Sequence, residues 1–390
     1  MKWEYKTLDQ LGTVSRGKSK HRPRNDPKLF GGKYPFIQTA DVKNADYYIT
    51  KYSDTYNESG LAQSKLWDKG TLCITIAANI ADTGVLAFPA CFPDSIMGFV
   101  PFEGVANTRF IKYCFDRLQR DCKQISQGTA QDNLSWEKLS TIKFCIPEYK
   151  EQCRIADILS DYDDLIENNQ KQIKLLEEAA QRLYKEWFVD LRFPGHENTK
   201  IADGVPEGWN EKTLSQVANV IMGQSPKSEF YNSEKKGLPF HQGVGSYGVR
   251  FVMDDIYSTS YTRIAEPNSI LFSVRAPVGR LNITKNKVVI GRGLAAINQT
   301  DGCQSYLYYL LKNKFFKDNI VGNGSIFASV SKDELLNQKF LIPERNLMMQ
   351  FEKIVSQMDK QIENLDSKNK KLIEARDRLL PKLMSGEVEV

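Results

Sequence analysis

The stretch from Trp3 to Ser19, WEYKTLDQLGTVSRGKS, returns as WNEKTLSQVANVIMGQS from Trp209 to Ser225. At this constant offset of 206 residues, eight of the seventeen positions are identical, among them Gly17 and Gly223. Self-similarity over such a long period indicates a structural unit that occurs twice. We therefore expect two globular domains of similar fold within the 390 residues.

The similarity between the two copies resumes at their ends. Lys143-Phe144-x-Ile146-Pro147 corresponds to Lys339-Phe340-x-Ile342-Pro343, now at an offset of 196 residues. Between these shared ends, Pro35-Phe36-x-Gln38 also corresponds to Pro239-Phe240-x-Gln242, and the rest of the two copies differs almost completely. Because the beginnings and ends of the two copies match while most of their central residues differ, we infer one scaffold that carries two different specificities.

Each copy mixes the patterns of strands and helices. Residues 72–76 and 269–274 are apolar runs typical of buried strands, and residues 110–120 and 306–317 have the periodicity of short helices. The predicted fold class is therefore α+β. It consists of two mixed α/β domains in tandem pseudo-repeat, at residues 1–146 and 199–342.

A heptad pattern follows each copy, in residues 147–198 and 343–390. Mostly apolar residues recur there in alternating steps of four and three, as in helices that pack side by side. We expect Pro194 and Pro381 to bracket or end the two helices. The predicted seams are Ile155, Leu159, Tyr162, Ile166, Asn169, Ile173, Leu176, Ala180, Leu183 and Trp187, and Phe351, Val355, Met358, Ile362, Leu365, Asn369, Leu372, Arg376, Leu379 and Leu383.

One asparagine in each seam indicates how the two helices pair. Asn169 is the fifth of ten layers and Asn369 is the sixth, so antiparallel pairing in full register places them opposite each other. Parallel pairing would oppose them to Ile173 and Leu365, and an amide without a partner costs about 1–3 kcal/mol. We therefore predict an intramolecular antiparallel coiled coil.

The same register has two further consequences. It places Trp187 against Phe351 and Tyr162 beside Arg376. About 32 helical residues at ~1.5 Å each span roughly 48 Å, so the coiled coil would hold the two domains apart. The alternative is that each helix packs only on its own domain.

The charge distribution and the composition of the chain limit the partners and the kinds of site that we expect. The net charge is +5, and residues 1–146 and 199–342 each carry +5, while 147–198 carry −5 and 343–390 are neutral. Basic domains favour a polyanionic partner such as DNA. Seven cysteines without a Cys-x-x-Cys pair and only three histidines predict neither a metal site nor a disulfide framework. A charged N-terminus and the absence of a long apolar run predict a cytoplasmic protein with no membrane partner.

Several segments, taken in order, resemble a known family. They are Gly223-Gln224-Ser225-Pro226, Ser273-Val274-Arg275-Ala276-Pro277-Val278-Gly279, Gly291-Arg292-Gly293-Leu294-Ala295-Ala296 and Leu183-Tyr184-Lys185-Glu186-Trp187-Phe188-Val189-Asp190. Together with the two Lys-Phe-x-Ile-Pro ends, they resemble the specificity subunits of type I restriction–modification systems. The resemblance covers essentially the whole chain.

The resemblance implies a function for every part of the chain. Each target-recognition domain would read one half of a bipartite, asymmetric site in double-stranded DNA, and the helices would set the gap between the halves. Two methyltransferase (modification) subunits would bind the chain and methylate adenines, and restriction/translocase subunits would drive translocation and cleavage. S-adenosylmethionine, ATP and Mg would be bound by those partners. This chain would hold no cofactor, no metal and no catalytic residue.

The candidate DNA contacts are basic and polar residues of the two domains. In the first domain, basic residues occupy every second position from Arg16 to Arg24, so an extended segment would point them all one way. Amides and hydroxyls near the end of each domain could read bases or cap loops. The candidates are Arg16, Lys18, Lys20, Arg22, Arg24, Gln127, Thr129, Gln131, Asn133, Gln224, Ser225, Lys227, Arg275, Arg280, Arg292, Asn323 and Ser325.

Two other functions remain open alternatives at this stage. Gly12-x4-Gly17-Lys18-Ser19 matches the phosphate-loop pattern of an ATPase, and Pro93-Asp94 with Asp121-x-Lys123 loosely matches a nuclease core. The prolines after Ser19 disfavour the helix that a phosphate loop requires, and the second copy has Gln224 in place of the lysine. The other alternative is a structural spacer whose globular ends bind proteins.

Overall fold

The computed structural model describes residues 3–45, 47–76, 82–125, 136–315 and 329–390. The chain divides into two compact units, one formed by Met1–Gln170 with Asp366–Val390 and the other by Lys171–Leu365. Unit 1 contains the first copy of the repeat and unit 2 contains the second. The division passes through both long helices, so each unit also contains part of each helix.

The first copy of the repeat is a mixture of strands and short helices. Its strands are β1 (Glu4–Lys6), β2 (Gly12–Arg16), β3 (Phe30–Phe36), β4 (Tyr48–Ile49), β5 (Asp54–Tyr56), β6 (Leu72–Thr75), β7 (Thr83–Leu86), β8 (Ile96–Pro101) and β9 (Phe144–Ile146). Its helices are α1 (Leu8–Leu11), α2 (Thr39–Lys43), α3 (Glu58–Ala62), α4 (Thr108–Ile125) and α5 (Trp136–Thr141), and the long helix α6 (Tyr149–Phe188) follows.

The core of unit 1 lies between a sheet and α4. Strands β2, β8, β6, β7 and β4 form this sheet in that order, antiparallel except for the parallel pair β4–β7. At the start of α4, the side-chain oxygen of Asn107 accepts the backbone N–H groups of Arg109 and Phe110. Phe110 of the helix and Phe99 of β8 are fully buried in one apolar cluster. The predicted strand at 72–76 and helix at 110–120 are confirmed, with small shifts at their ends.

The second copy contains more short strands. They are β10 (Ile201–Ala202), β11 (Val205–Pro206), β12 (Asn210–Thr213), β13 (Ala218–Met222), β14 (Tyr231–Asn232), β15 (Leu238–His241), β16 (Tyr257–Ser258), β17 (Ile264–Ala265), β18 (Ile270–Ser273), β19 (Leu281–Ile283), β20 (Val288–Ile290), β21 (Leu294–Gln299) and β22 (Lys339–Ile342). Its helices are α7 (Leu214–Val217), α8 (Gln304–Phe315) and α9 (Lys332–Leu336), and the long helix α10 (Arg345–Ser385) follows. Single 3-10 turns lie at Pro27–Leu29, His196–Asn198, Ser228–Phe230 and Val244–Ser246.

Unit 2 has two main sheets. One has the antiparallel order β13-β21-β18-β19 and packs against α8. The other has the order β14-β16-β15-β20-β17, in which only β15 and β20 pair in parallel. The first sheet corresponds to part of the unit 1 sheet, whereas the second belongs to the middle of the copy, where the two sequences differ.

The repeated residues have local structural roles that explain why they recur. In both copies a Thr-Leu-x-Gln segment forms a capping box, in which the glutamine side chain accepts the backbone N–H of Thr7 at 3.0 Å and of Thr213 at 2.8 Å. The shared ends of each copy pair with its beginning, as β1 with β9 and β12 with β22. The predicted tandem repeat of mixed α/β domains is therefore confirmed.

Both long helices lie in the two segments with the heptad pattern, and they begin at Tyr149 and Arg345, immediately after Pro147-Glu148 and Pro343-Glu344. The expectation that Pro381 ends the second helix is wrong, because α10 continues through it to Ser385. Proline removes one backbone donor and disfavours the helix interior. Burial of Leu380, Leu383 and Met384 in the core of unit 1 stabilises this last turn despite that cost.

Within unit 1, residues of α6 and α10 pack side by side in antiparallel directions. The Nδ2 of Asn169 donates to the Oδ1 of Asn369 at 2.7 Å, and both side chains are buried. Further along, Arg376 donates to the carboxylate of Asp163, the residue that follows Tyr162. Burial disfavours the charge of Arg376, but Asp163 and then Asp377 raise the pKa of this guanidinium above its ordinary value.

Within unit 2, the remaining parts of the two helices pair in the same sense. The rings of Trp187 and Phe351 lie 6.0 Å apart between centroids, as the predicted register requires. Both side chains are buried in the core of unit 2 together with Tyr306 of α8. The helices therefore pair with each other and also pack on a globular part.

Arg250 connects the globular part of unit 2 to both long helices, a role that the sequence did not indicate. Its side chain is 2% exposed and donates to Glu177 of α6 at 3.2 Å and to Asp359 of α10 at 2.5 Å. It also lies over the ring of Tyr308, 4.3 Å from the centroid. Burial disfavours the charge of Arg250, but its tyrosine and carboxylate neighbours raise its pKa above the ordinary value.

Among the helices of the described ranges, none combines the length and the apolar character that crossing a lipid bilayer would require.

Candidate nucleic-acid interface

The basic segment of unit 1 is a folded loop at the end of β2. The strand ends at Arg16, and residues 21–25 form bends and a turn. The expectation of one extended segment is therefore wrong, because the chain turns where Pro23 and Pro27 interrupt it. All five basic side chains, Arg16, Lys18, Lys20, Arg22 and Arg24, are nevertheless exposed.

Two of these five side chains hold the loop in shape. Arg22 donates to the carbonyl oxygens of Ser19 at 2.6 Å and His21 at 2.8 Å. Arg24 donates to the carboxylate of Asp94 at 2.9 Å. No pattern in the sequence had indicated this pair. Arg22 and Arg24 therefore already have partners within the protein.

The other three basic side chains of the loop are differently placed. In the described part of the chain, Arg16, Lys18 and Lys20 are exposed and have no carboxylate within ion-pair distance. An exposed cation without an internal partner is suited to neutralise a phosphate. Of the predicted patch, these three are the better candidates for DNA contact.

Hydrogen bonds to one carboxylate hold the far end of the same loop. The His21 ring lies 2.9 Å from Asp26, and Asp26 also accepts the backbone N–H of Lys28 at 3.0 Å. The Lys28 backbone first, and His21 second, hold the pKa of Asp26 below its ordinary value. The carboxylate is therefore charged at neutral pH and anchors the loop.

In unit 2 the corresponding loop follows β13 and brings three predicted residues together. Ser225 accepts the backbone N–H of Arg292 at 3.2 Å, and Gln224 precedes Ser225 in the same loop. Ser225 also donates to the Oε1 of Gln242 at 2.8 Å. The side chains of Gln224, Gln242 and Arg292 are exposed.

The remaining predicted residues of unit 2 lie around this group. Arg275 is exposed in the turn after β18, and the preceding residue donates its backbone N–H to Gly293 at 2.9 Å, which places the turn beside Arg292. Arg280 lines a cavity of about 330 Å³ together with Asn282 and Tyr308. Lys227 lies 3.8 Å from Glu229 in an exposed ion pair.

A close approach of backbone explains the repeated glycine at the start of both loops. A Cβ on Gly17 would lie 2.3 Å from the carbonyl oxygen of Phe92, and one on Gly223 would lie 2.1 Å from that of Gly291. Only glycine permits these contacts, so both loops are held against the segment that precedes β8 or β21. The glycine thus serves packing. Among the described residues, no helix begins directly after Ser19, as a phosphate loop would require, and the next helical element is the 3-10 turn at Pro27–Leu29.

The two loops differ in charge at equivalent positions. In the strand pairing, Arg16 at the end of β2 lies opposite Met97, and Met222 at the end of β13 lies opposite Ala295. Three positions before these partners, unit 1 has Asp94 and unit 2 has Arg292. A carboxylate in unit 1 therefore stands where unit 2 has a guanidinium. One scaffold carries two loops with different polar surfaces, as the differing middles of the sequence suggested.

Six predicted contacts, Gln127, Thr129, Gln131, Asn133, Asn323 and Ser325, lie outside the described residues. The structure likewise does not describe the side chains of Asp121 and Lys123, which formed part of the nuclease pattern. Within the described ranges, no group of three or more His, Cys, Asp or Glu side chains is arranged to hold a metal ion.

Comparison with known proteins identifies relatives along the whole chain. A family profile described as "Type I restriction modification DNA specificity domain" matches residues 1–178 and 206–375. The chain is 27% identical over 410 aligned residues to the type I restriction enzyme MjaIX specificity subunit of Methanocaldococcus jannaschii, covering 100% of this chain and 94% of that protein. It is 32% identical to the putative MjaX specificity subunit of the same organism, over 67% of this chain and 62% of that protein.

Among solved structures, the chain resembles a type I restriction–modification S subunit from M. genitalium. The TM-score is 0.58 at 18% identity, and the alignment covers 98% of this chain and 96% of that one. At this level of identity the comparison supports the fold: two similar domains combined with long helices.

Proposed function

Because the chain belongs to the family of type I restriction–modification DNA-specificity proteins, it is a non-catalytic DNA-sequence-specificity subunit, and we propose that its two globular parts read the two halves of one split site in duplex DNA. The recognition domains would comprise residues 1–146 and 199–342. The loops after β2 and β13 would contact the DNA in each. The proposed target is asymmetric because the two loops differ.

One observation carries this proposal. In both units a glycine, Gly17 or Gly223, packs against a carbonyl oxygen at the start of the loop that follows β2 or β13. The two loops therefore occupy the same place in the fold, but they carry different polar groups. A duplicated scaffold with different exposed side chains is suited to bind one kind of polymer in two sequence contexts. Exposed basic side chains would position phosphates, and amides and guanidinium groups would read base edges.

Of the predicted contacts, Arg16, Lys18 and Lys20 are proposed to bind phosphates. Gln224, Ser225, Arg275 and Arg292 form the group proposed to face the bases of the second half-site. Arg22 and Arg24 would act mainly by shaping the first loop. Arg280 and Lys227 lie outside this group, since Arg280 lines a separate cavity and Lys227 is in an ion pair with Glu229, and we propose them as further DNA contacts.

The long helices have a proposed role in assembly. Specificity subunits act together with DNA and with modification and restriction subunits, and we propose two modification subunits for this chain, docked on 147–198 and 343–390. S-adenosylmethionine, ATP and Mg would be bound by those partners. The helix pair would set the gap between the half-sites, in keeping with the seam length and the paired asparagines.

Mapping of methylated adenine in the genome tests the function directly. Cells with the gene, without it, and with it restored are compared. Methylation at one split, asymmetric motif that disappears on deletion and returns on restoration is expected. An unchanged methylation pattern would contradict the proposal. A Lys18→Ala chain that lost ATP turnover would instead favour the ATPase alternative.

A further inference from the structure

Gln242 is an exposed amide held in one orientation, and the sequence did not single it out as a DNA contact. It follows β15 directly, and its Oε1 accepts the hydroxyl proton of Ser225 at 2.8 Å. The same hydroxyl oxygen accepts the backbone N–H of Arg292 at 3.2 Å. Two strand ends and one loop therefore converge on this side chain.

The amide oxygen of Gln242 faces Ser225 in the structure. The Ser225 hydroxyl accepts the Arg292 backbone N–H and directs its single proton to that oxygen. The Nε2 group then points away from Ser225 with two N–H donors. An amide fixed in this way loses little conformational entropy on binding.

The neighbouring backbone approaches Gln242 so closely that two of its residues have no room for a Cβ. A Cβ on Gly291 would lie 2.7 Å from the Gln242 Oε1, and one on Gly293 would lie 2.5 Å from the Gln242 carbonyl oxygen. The Gly-Arg-Gly segment thus needs both glycines to bring Gln242 and Arg292 together. The side chains of Gln242 and Arg292 are both exposed, and the amide Nε2 and the guanidinium group both carry hydrogen-bond donors.

We propose that Gln242 and Arg292 together read a guanine in the half-site of unit 2. This inference rests on the proposed function and specifies one contact of that site. In the major groove, guanine presents two acceptors, N7 and O6, while adenine presents one acceptor beside a donor. Two neighbouring donor groups match guanine, because the Gln242 oxygen is engaged by Ser225 and is poorly placed to accept from adenine.

The contact is specific to unit 2. At the equivalent repeat position, Gln38 donates through its Nε2 to Asp54 at 2.6 Å, and its backbone N–H donates to Asp41 at the start of α2. The Gln38 amide is therefore occupied within the protein. The half-site read by unit 1 should not depend on it.

The test restores the gene in a deletion strain as wild type, Gln242→Glu, Ser225→Ala or Asn286→Asp, and maps methylated adenine. Gln242→Glu replaces the outward donor by a carboxylate of the same shape. Asn286→Asp makes the same charge change on an exposed loop at the other end of β20. Recovery of the assembled complex by affinity purification shows which variants fold.

The expected result is a change at one position of one half-site. Gln242→Glu should reduce methylation of sites with guanine there at least about tenfold, Ser225→Ala should relax the same position, and Asn286→Asp should restore the original motif. If Gln242→Glu does not assemble, Ser225→Ala alone decides. An assembled Gln242→Glu that restores the original motif at full occupancy would overturn the inference but leave the function intact. Failure of the wild-type gene to restore any motif would overturn both.

Discussion

The paired asparagines of the helix seam allow a quantitative test of the register. Asn169→Leu removes the donor of the 2.7 Å hydrogen bond, so the Oδ1 of Asn369 stays buried without that partner. The Nδ2 of Asn369 keeps its 3.5 Å contact with the carbonyl oxygen of Ile166. An unsatisfied buried polar group costs about 1–3 kcal/mol. For a unit of this size, 1 kcal/mol shifts the melting temperature by about 2–4 °C. Each single substitution should therefore lower it by roughly 2–12 °C.

The double variant distinguishes a pair from two independent sites. With leucine at both positions no polar group is left without a partner, so stability should return close to that of the wild type or exceed it. The non-additivity should amount to about 0.5–3 kcal/mol. Scanning calorimetry of the full-length chain measures all four proteins. If the losses of the single variants simply add in the double variant, the two asparagines do not act as a pair.

The other predictions concern single features. Arg250→Met should lower the free energy of unfolding by about 3–5 kcal/mol in urea titrations, because it leaves the partly buried carboxylates of Glu177 and Asp359 without their cation. Burial raises the pKa of Asp359 and Arg250 opposes this rise, so removing Arg250 should raise the pKa further and favour the protonated carboxyl at low pH. The defect should therefore be larger at pH 8 than at pH 5. Equal defects at both pH values would contradict this reasoning. Gly223→Ala should cost about 1–3 kcal/mol by calorimetry, because its Cβ would meet a carbonyl oxygen, whereas Gly245→Ala has open space and should be neutral. Lys18→Ala with Lys20→Ala should reduce the salt dependence of DNA affinity by about two phosphate contacts. An unchanged slope, or an equal change on substitution of an exposed lysine of α6, would argue against phosphate contact there.

Repetition and spacing accounted for the features that the sequence predicted well. The sequence showed that the Thr-Leu-x-Gln segments and the Lys-Phe-x-Ile ends recur, and the structure adds that they form capping boxes and pair with the start of each copy. The heptad steps placed Asn169 and Asn369 in matching layers, since helical geometry converts spacing along the chain directly into position on a face. Such features depend on few residues and on fixed geometry.

Contacts between distant residues were not predictable in this way. Asp94 binds an arginine 70 residues away, and Arg250 binds carboxylates 73 and 109 residues away. Their charges were visible in the sequence, but their partners depend on how strands and helices pack. For the same reason, alternating charge wrongly suggested that residues 16–24 form one extended segment, and Pro381 wrongly suggested a helix end.

The sequence by itself determined that this chain is a duplicated α+β scaffold joined to two helices that match in antiparallel register. That information lies in repetition and periodicity, which follow from backbone geometry alone. Only the tertiary structure decided which exposed groups are available, because availability depends on whether a neighbour already accepts the proton or carries the opposite charge. Gln38 and Gln242 occupy the same place in the repeat, yet one donates to Asp54 and the other presents its amide outward.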